Sequence, residues 1–230
     1  LLAQVDSSIG GKTAIDLPHA KNLVGSFYQP SAVISDIIFL DTLPQKEIRN
    51  GLAEIIKYGI ISGHQFFTYL EKNLNRILKK DRDVLAYTIS KCAEIKARLV
   101  EKDEFDATGE RMALNLGHTF AHGIETAFSY SKSYTHGEAV GVGLVMSSCL
   151  AHKLGMMSLE DSVRIRDIVA RAGLPIGIKP GCCKKILDAM TYDKKFSGGK
   201  NRFVLPAKIG DIKIVENISE AKIINIIKKR

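Results

Sequence analysis

Three of the six histidines in this chain fall within nineteen residues: His118, His122 and His136. His118 and His122 are four apart, which on a helix puts both rings on one face about a turn apart. Two imidazoles so spaced can meet one metal ion. The residue after His118 is Thr119 rather than the glutamate that serves zinc peptidases as general base, so that hydrolytic chemistry is not indicated. The same spacing also fits two histidines on an ordinary polar face. His136 precedes Gly137-Glu138 at the start of an apolar run, a position easily turned inward. Glu54 lies in Leu52-Ala53-Glu54-Ile55-Ile56-Lys57, where an ionised carboxylate on a buried face needs a cation. That cation is either Lys57, in a salt bridge on a solvated face, or a metal. One glutamate with two histidines is a ligand set suited to a catalytic divalent ion with an open position. Spacing leaves open which two of the three histidines would take part.

Lys12, Lys57, Lys96, Arg111 and Asn115 are each set in glycine-rich or apolar surroundings. Arg111, Asn115 and His118 follow an i, i+4, i+7 pattern, which predicts one shared helix face. Asp193-Lys194-Lys195, with Gly198-Gly199 close behind, reads as a phosphate-contacting loop. Any one lysine alone reads as surface decoration; together they predict a positive pocket beside the metal, for an anionic, oxygen-rich substrate.

The elements that must carry these residues are mainly helical. The first thirty residues are rich in Ser, Gly and Pro and read as loop, and Ala32–Ser35 reads as a short strand. Ile48, Leu52, Ile55, Ile56 and Ile60 keep a helical period from Gln45 to about Gly59–Gly63. Further helices are predicted over 66–78, 84–100, 111–127, 136–154, 158–172 and 182–190, with a hairpin near 202–215 and a closing helix at 220–227. Among 230 residues, 33 Lys and Arg face 25 Asp and Glu, and 45% are hydrophobic. These values exclude a disordered, collagen-like or coiled-coil chain. The four cysteines lack metal-site spacing, and no secretory signal or membrane span is visible, so a cytoplasmic protein is expected. Residues 1–178 carry 20 basic and 20 acidic side chains, so the net charge of +8 belongs to the last 52 residues. A basic nucleic-acid-binding module is compatible with that sum, but the tail has neither clustered aromatics nor a reading helix.

Six blocks together resemble the 3-dehydroquinate synthase family: Gln4-Val5-Asp6-Ser7-Ser8-Ile9-Gly10-Gly11-Lys12-Thr13, Lys21-Asn22-Leu23-Val24-Gly25-Ser26-Phe27, Ala53-Glu54-Ile55-Ile56-Lys57-Tyr58-Gly59, Leu114-Asn115-Leu116-Gly117-His118-Thr119-Phe120, His136-Gly137-Glu138-Ala139-Val140 and Asp193-Lys194-Lys195. They run in the family's order along nearly the whole chain. The resemblance implies a mainly α, multi-helical domain of the dehydroquinate synthase-like/glycerol-dehydrogenase-like superfamily, with a few short strands. It also implies that the Rossmann-like N-terminal domain that binds NAD is absent from this chain, which would then be a piece of the enzyme, inactive alone. Residues 1–35 would link to that domain and touch substrate, and 36–230 would form the helical metal- and substrate-binding domain.

Carried onto matching positions, the family pattern makes Glu54, His118 and His136 the ligands of one Zn2+ or Co2+. His122 becomes the proton-handling residue, and Lys57, Lys96 and Asp6 complete the catalytic set that the resemblance implies. Asp6, Lys57, Lys96, Arg111 and Asn115 match the substrate pocket, with Lys12, Asn22 and Asn115 on the phosphate side. Lys12 and Lys21 lie towards the cofactor, and Lys195, or its neighbour Lys194, closes over phosphate. Ala121 stands where the family usually has glycine, and 103–111 carries one residue more than some relatives. The implied reaction turns 3-deoxy-D-arabino-heptulosonate 7-phosphate into 3-dehydroquinate and phosphate. It runs through transient oxidation by NAD, phosphate elimination, reduction and intramolecular aldol closure, without net redox change. The family is usually homodimeric, a neighbouring subunit adding an arginine to the pocket. A sister sugar-phosphate cyclase and a metal-dependent polyol dehydrogenase share the scaffold.

Overall fold

The computed structural model describes residues 1–17, 20–128, 133–191 and 201–228, with the side chains of 16–17, 20–23 and 191 left out. The chain starts in a π turn (Ala3–Ser7) that buries Val5. An antiparallel ribbon follows, β1 (Lys12–Leu17) and β2 (Ala20–Phe27), pairing Lys12 with Phe27, Thr13 with Ser26 and Ala14 with Gly25. This corrects the expectation of a loop. Glycines and serines, read in sequence as punctuation, are here what lets two strands lie close: a Cβ on Gly25 would come within 2.1 Å of the Thr13 carbonyl oxygen. The strand expected at Ala32–Ser35 does not form. That stretch has no partner strand among the described residues and leads instead to Asp36, which accepts the Ile38 N–H at 2.9 Å and caps a 3-10 turn (Ile37–Leu40).

The helices are α1 (Gln45–Ser62), α2 (His64–Leu78), α3 (Arg82–Lys102), α4 (His118–Ala127), α5 (His136–Lys153), α6 (Leu159–Arg171), α7 (Cys183–Thr191) and α8 (Glu220–Lys228). Helix α1 is buried on every side from Gly51 to Ile60, so it is the axis of the fold rather than an amphipathic cover. Gly63, at φ 113°, ends α1 and turns the chain into α2. Helix α5 is buried almost throughout and packs on α1, α4 and α6. Its start is fixed by a capping box in which the Thr135 hydroxyl accepts the Glu138 N–H and the Glu138 carboxylate accepts the Thr135 N–H. The strands β3 (Arg202–Lys208) and β4 (Asp211–Glu216) pair antiparallel, β3 against α5. The Gly210 N–H at their turn donates to the Ile60 carbonyl at the end of α1, 2.8 Å away.

The single helix predicted over 111–127 is in fact two pieces, a 3-10 turn (Glu110–Asn115) and α4, separated at Gly117. Gly117 adopts φ 79°, open to glycine and strained for other residues. Its carbonyl oxygen lies 2.2 Å from where a Cβ on Gly143 of α5 would stand, so the break lets α4 and α5 touch backbone to backbone. Ala121, one turn into α4, is fully buried beside this contact. The fold is mainly helical with short antiparallel strands, and no parallel sheet occurs among the described residues. No helix among them is long and apolar enough to cross a membrane.

Candidate metal centre and anion pocket

Glu54, with no solvent exposure, projects from the middle of α1. His118 begins α4 after the Gly117 break, and His136 begins α5 after its cap. Glu54 Oε1 lies 3.4 Å from His118 Nε2 and 3.1 Å from His136 Nε2. One ligand atom from each residue falls within 4.8 Å of the others, and no other such group occurs among the described residues. Spacing left open which two of the three histidines take part; the structure gathers His118 and His136 around Glu54, the set that the family resemblance implied. His122 stands one turn along α4, its ring edge-on to His118 with centroids 5.5 Å apart. The other Glu54 oxygen ion-pairs with Lys57. Glu54 thus has the Lys57 partner of one reading, buried rather than solvated, and the two imidazoles that the other requires.

A second layer holds this cluster. Asp6, at the end of the π turn, accepts from the Tyr58 hydroxyl at 2.8 Å and from Lys96, and its other oxygen lies 3.7 Å from Lys57. Burial would push the Asp6 and Glu54 carboxyls up, but Lys57 with Lys96 in one case and Lys57 with the histidines in the other hold both below the usual range. Burial alone would lower His136; hydrogen bonds to Glu125 and Glu54 outweigh it and bring the ring up to about 9. An imidazole flanked by two carboxylates calls for positive charge there, and the N, N, O donor set fits a divalent ion. Tyr58, Glu125 and Asn50, whose side-chain oxygen accepts the Gly137 N–H at 2.5 Å, were missed in the sequence. Only Glu125 left a trace there, as a carboxylate seven residues after His118.

Beside His118 opens a cavity of about 140 Å³ lined by Lys12, Lys57, Lys96, Arg111 and Asn115, with Asp6, Asp106 and Leu114. Four cations against two carboxylates give its lining a positive excess. Arg111, Asn115 and His118 do line one space, though they reach it from a 3-10 turn and a separate helix rather than one helix face. Arg111 is tied by its guanidinium to the carbonyls of Glu104 at 2.8 Å and Gly10 at 3.1 Å, which fixes the turn leading into Lys12 at the start of β1. Lys12 is half exposed and pairs with Asp106 at 2.5 Å. The side chains of Lys21 and Asn22, and Lys194 and Lys195 altogether, lie outside the described residues.

Fold and site together define a helical domain in which a buried Glu-His-His group able to hold a metal opens onto a cation-lined cavity. Two family models divide the chain: "3-dehydroquinate synthase N-terminal" matches residues 1–50 and "3-dehydroquinate synthase C-terminal" matches 51–196. The 3-dehydroquinate synthase of Buchnera aphidicola subsp. Baizongia pistaciae is 47% identical over 229 residues, 99% of this chain and 64% of that protein. The same enzyme of Aliivibrio fischeri strain MJ11 is 47% identical over 230 residues, all of this chain and 63% of the relative. Among solved structures, a 2-epi-5-epi-valiolone synthase from Streptomyces hygroscopicus subsp. jinggangensis 5008, with NAD+ and Zn2+ bound, superposes with TM-score 0.89 at 25% identity, covering 99% of this chain and 63% of that one. A 2-deoxy-scyllo-inosose synthase complexed with carbaglucose-6-phosphate, NAD+ and Co2+ gives 0.86 at 23%, covering 99% and 64%. The chain thus spans somewhat under two thirds of the length of these relatives. It belongs to the 3-dehydroquinate synthase family.

Proposed function

We propose that this chain is the metal- and substrate-binding part of a 3-dehydroquinate synthase, an NAD- and metal-dependent phosphorus–oxygen lyase of the shikimate pathway. Its substrate is 3-deoxy-D-arabino-heptulosonate 7-phosphate and its products are 3-dehydroquinate and phosphate. The observation that carries this reading is the Glu54–His118–His136 group opening onto a cation-lined cavity. Identity of 47% to 3-dehydroquinate synthases, against 23–25% to the sister cyclases, favours this substrate over theirs.

Glu54, His118 and His136 would hold Zn2+ or Co2+, which when bound supplies a Lewis acid that makes a substrate hydroxyl easier to deprotonate. Lys57, Lys96 and Arg111 would bind the sugar acid's carboxylate and hydroxyls, while Lys12, Asn115 and Asn22 take the phosphate, assisted by Lys195 or Lys194. Held at several points, the substrate keeps one orientation through successive steps. His122, on the face next to His118, would pass a proton between the substrate and solvent. Asp6 holds Lys57 and Lys96 in place for this work. For the dinucleotide, the described residues form no cradle, and this chain's share is an edge given by Lys12 and Lys21. The rest falls to a Rossmann-like domain in the length of the relatives that this chain does not span. Residues 1–35 would be the link to it, with 36–230 the helical domain, in a cytoplasmic homodimer that acts on a small anion and neither nucleic acid nor membrane.

Metal analysis of the purified chain should find one divalent ion per chain, lost in His118→Ala. Unchanged stoichiometry in that variant would sink the ligand assignment.

A further inference from the structure

Glu125 sits two turns after His118 on α4, nearly fully buried, and meets the back of the other histidine: its Oε1 is 3.3 Å from His136 Nδ1. The front of that ring, Nε2, is the atom that faces Glu54. A neutral imidazole carries one proton, on one nitrogen or the other. When a metal takes the place of the Nε2 proton, donation of Nδ1–H to Glu125 leaves the Nε2 lone pair aimed into the centre. His118 is arranged likewise, its Nδ1 lying 3.1 Å from the Leu116 carbonyl oxygen. The two rings differ in what stands behind them, a neutral backbone carbonyl for His118 and a carboxylate for His136. We propose that Glu125 is a positioning residue for the metal centre, fixing the tautomer and ring orientation of His136 from behind by accepting its Nδ1–H. Helix α4 then supplies one ligand outright and the backing of the other, so it sets both imidazoles against Glu54. The proposal rests on the metal-centre reading above. Buried carboxylates behind ligand histidines strengthen metal binding by orientation and by raising ligand basicity.

The test is zinc affinity of the full chain by chelator competition, for the wild type, Glu125→Ala and Glu125→Gln. Glu125→Ala should bind zinc about 10–100-fold more weakly. Glu125→Gln keeps an acceptor oxygen in nearly the same volume and should recover most of that loss. Equal affinity of Glu125→Ala and wild type overturns the proposal, as does a Gln variant no better than Ala. Should Glu125→Ala not fold, nitrogen-15 spectra of the zinc-loaded wild type decide the matter: His136 should carry its proton on Nδ1, and a proton on Nε2 refutes the assignment. A wild-type chain that takes up no divalent ion at all would instead defeat the metal-centre reading itself.

Discussion

Asp6 gathers three donors that the sequence scatters over ninety residues: Lys57, Tyr58 and Lys96, the last also reaching the Asp6 carbonyl at 2.7 Å. Without that carboxylate, Lys57 would keep its pair with Glu54, but Lys96, also buried, would lose the carboxylate it meets and leave its charge uncompensated. Asp6→Ala should therefore lower stability by about 3 kcal/mol. Tyr58→Phe, which removes one neutral hydrogen bond, should cost about 1 kcal/mol. Urea denaturation of both variants checks the ordering, and an Asp6→Ala loss no larger than that of Tyr58→Phe would show that the lysines do not depend on Asp6. At this scale the sequence announced individual chemistry well. A glutamate inside an apolar helix and histidines beside glycines stand out because burying charge is expensive. It could not choose among three histidines, since that choice is made by where α5 starts relative to α1, a tertiary fact. Asp6 itself was legible only through family resemblance, because an aspartate among serines and glycines has no local mark of burial.

Helices α1, α2, α3, α5 and α6 lie close to where the hydrophobic period put them, because each buries a long, regular set of apolar positions. The ribbon β1–β2 and the break at Gly117 were illegible for opposite reasons: Gly25 was read as punctuation where it permits close approach, and Gly117 was read through as helix where it breaks one. The connection between α3 and α4 shows a different device. The Asp103 carboxylate accepts the N–H groups of Ala107 at 2.7 Å, Thr108 at 3.1 Å, Gly109 at 3.0 Å and Arg111 at 3.3 Å, winding 103–111 around one side chain. Burial pushes this carboxyl up, but these bonds prevail and bring it down to about 2. A carboxyl lowered on folding stabilises the native state above its ordinary value of about 3.9, and that contribution fades as pH falls towards 2. Asp103→Asn should accordingly be less stable than the wild type at neutral pH, with the difference shrinking between about pH 4 and pH 2. Melting temperatures of both proteins across that range test it, and a gap independent of pH would mean that the carboxylate's charge is immaterial. Since Arg111 hangs from this loop, its position in the anion pocket depends on the same winding.

The net charge of +8 lies in the last 52 residues, but the cations of the described pocket come from the electrically balanced first part. Overall charge was thus a poor guide to the site, because a pocket is made by convergence rather than by composition. Convergence inside this chain accounts for a metal centre and an anion pocket, and the dinucleotide of the proposed reaction has no cradle among the described residues. The isolated chain should accordingly bind a divalent ion yet release no phosphate from 3-deoxy-D-arabino-heptulosonate 7-phosphate. A colorimetric phosphate assay, with a full-length relative as positive control, decides it, and measurable turnover by the chain alone would overturn the division of labour proposed above. The contact between Gly210 and Ile60 has a consequence of another kind. The last turn of α1, the helix that carries Glu54, is completed by an amide from the far end of the chain, and closing so long a loop is slow compared with winding local helix. In refolding, helical signal should recover first, and the ability to capture an ion should return only when these two distant parts of the sequence have met.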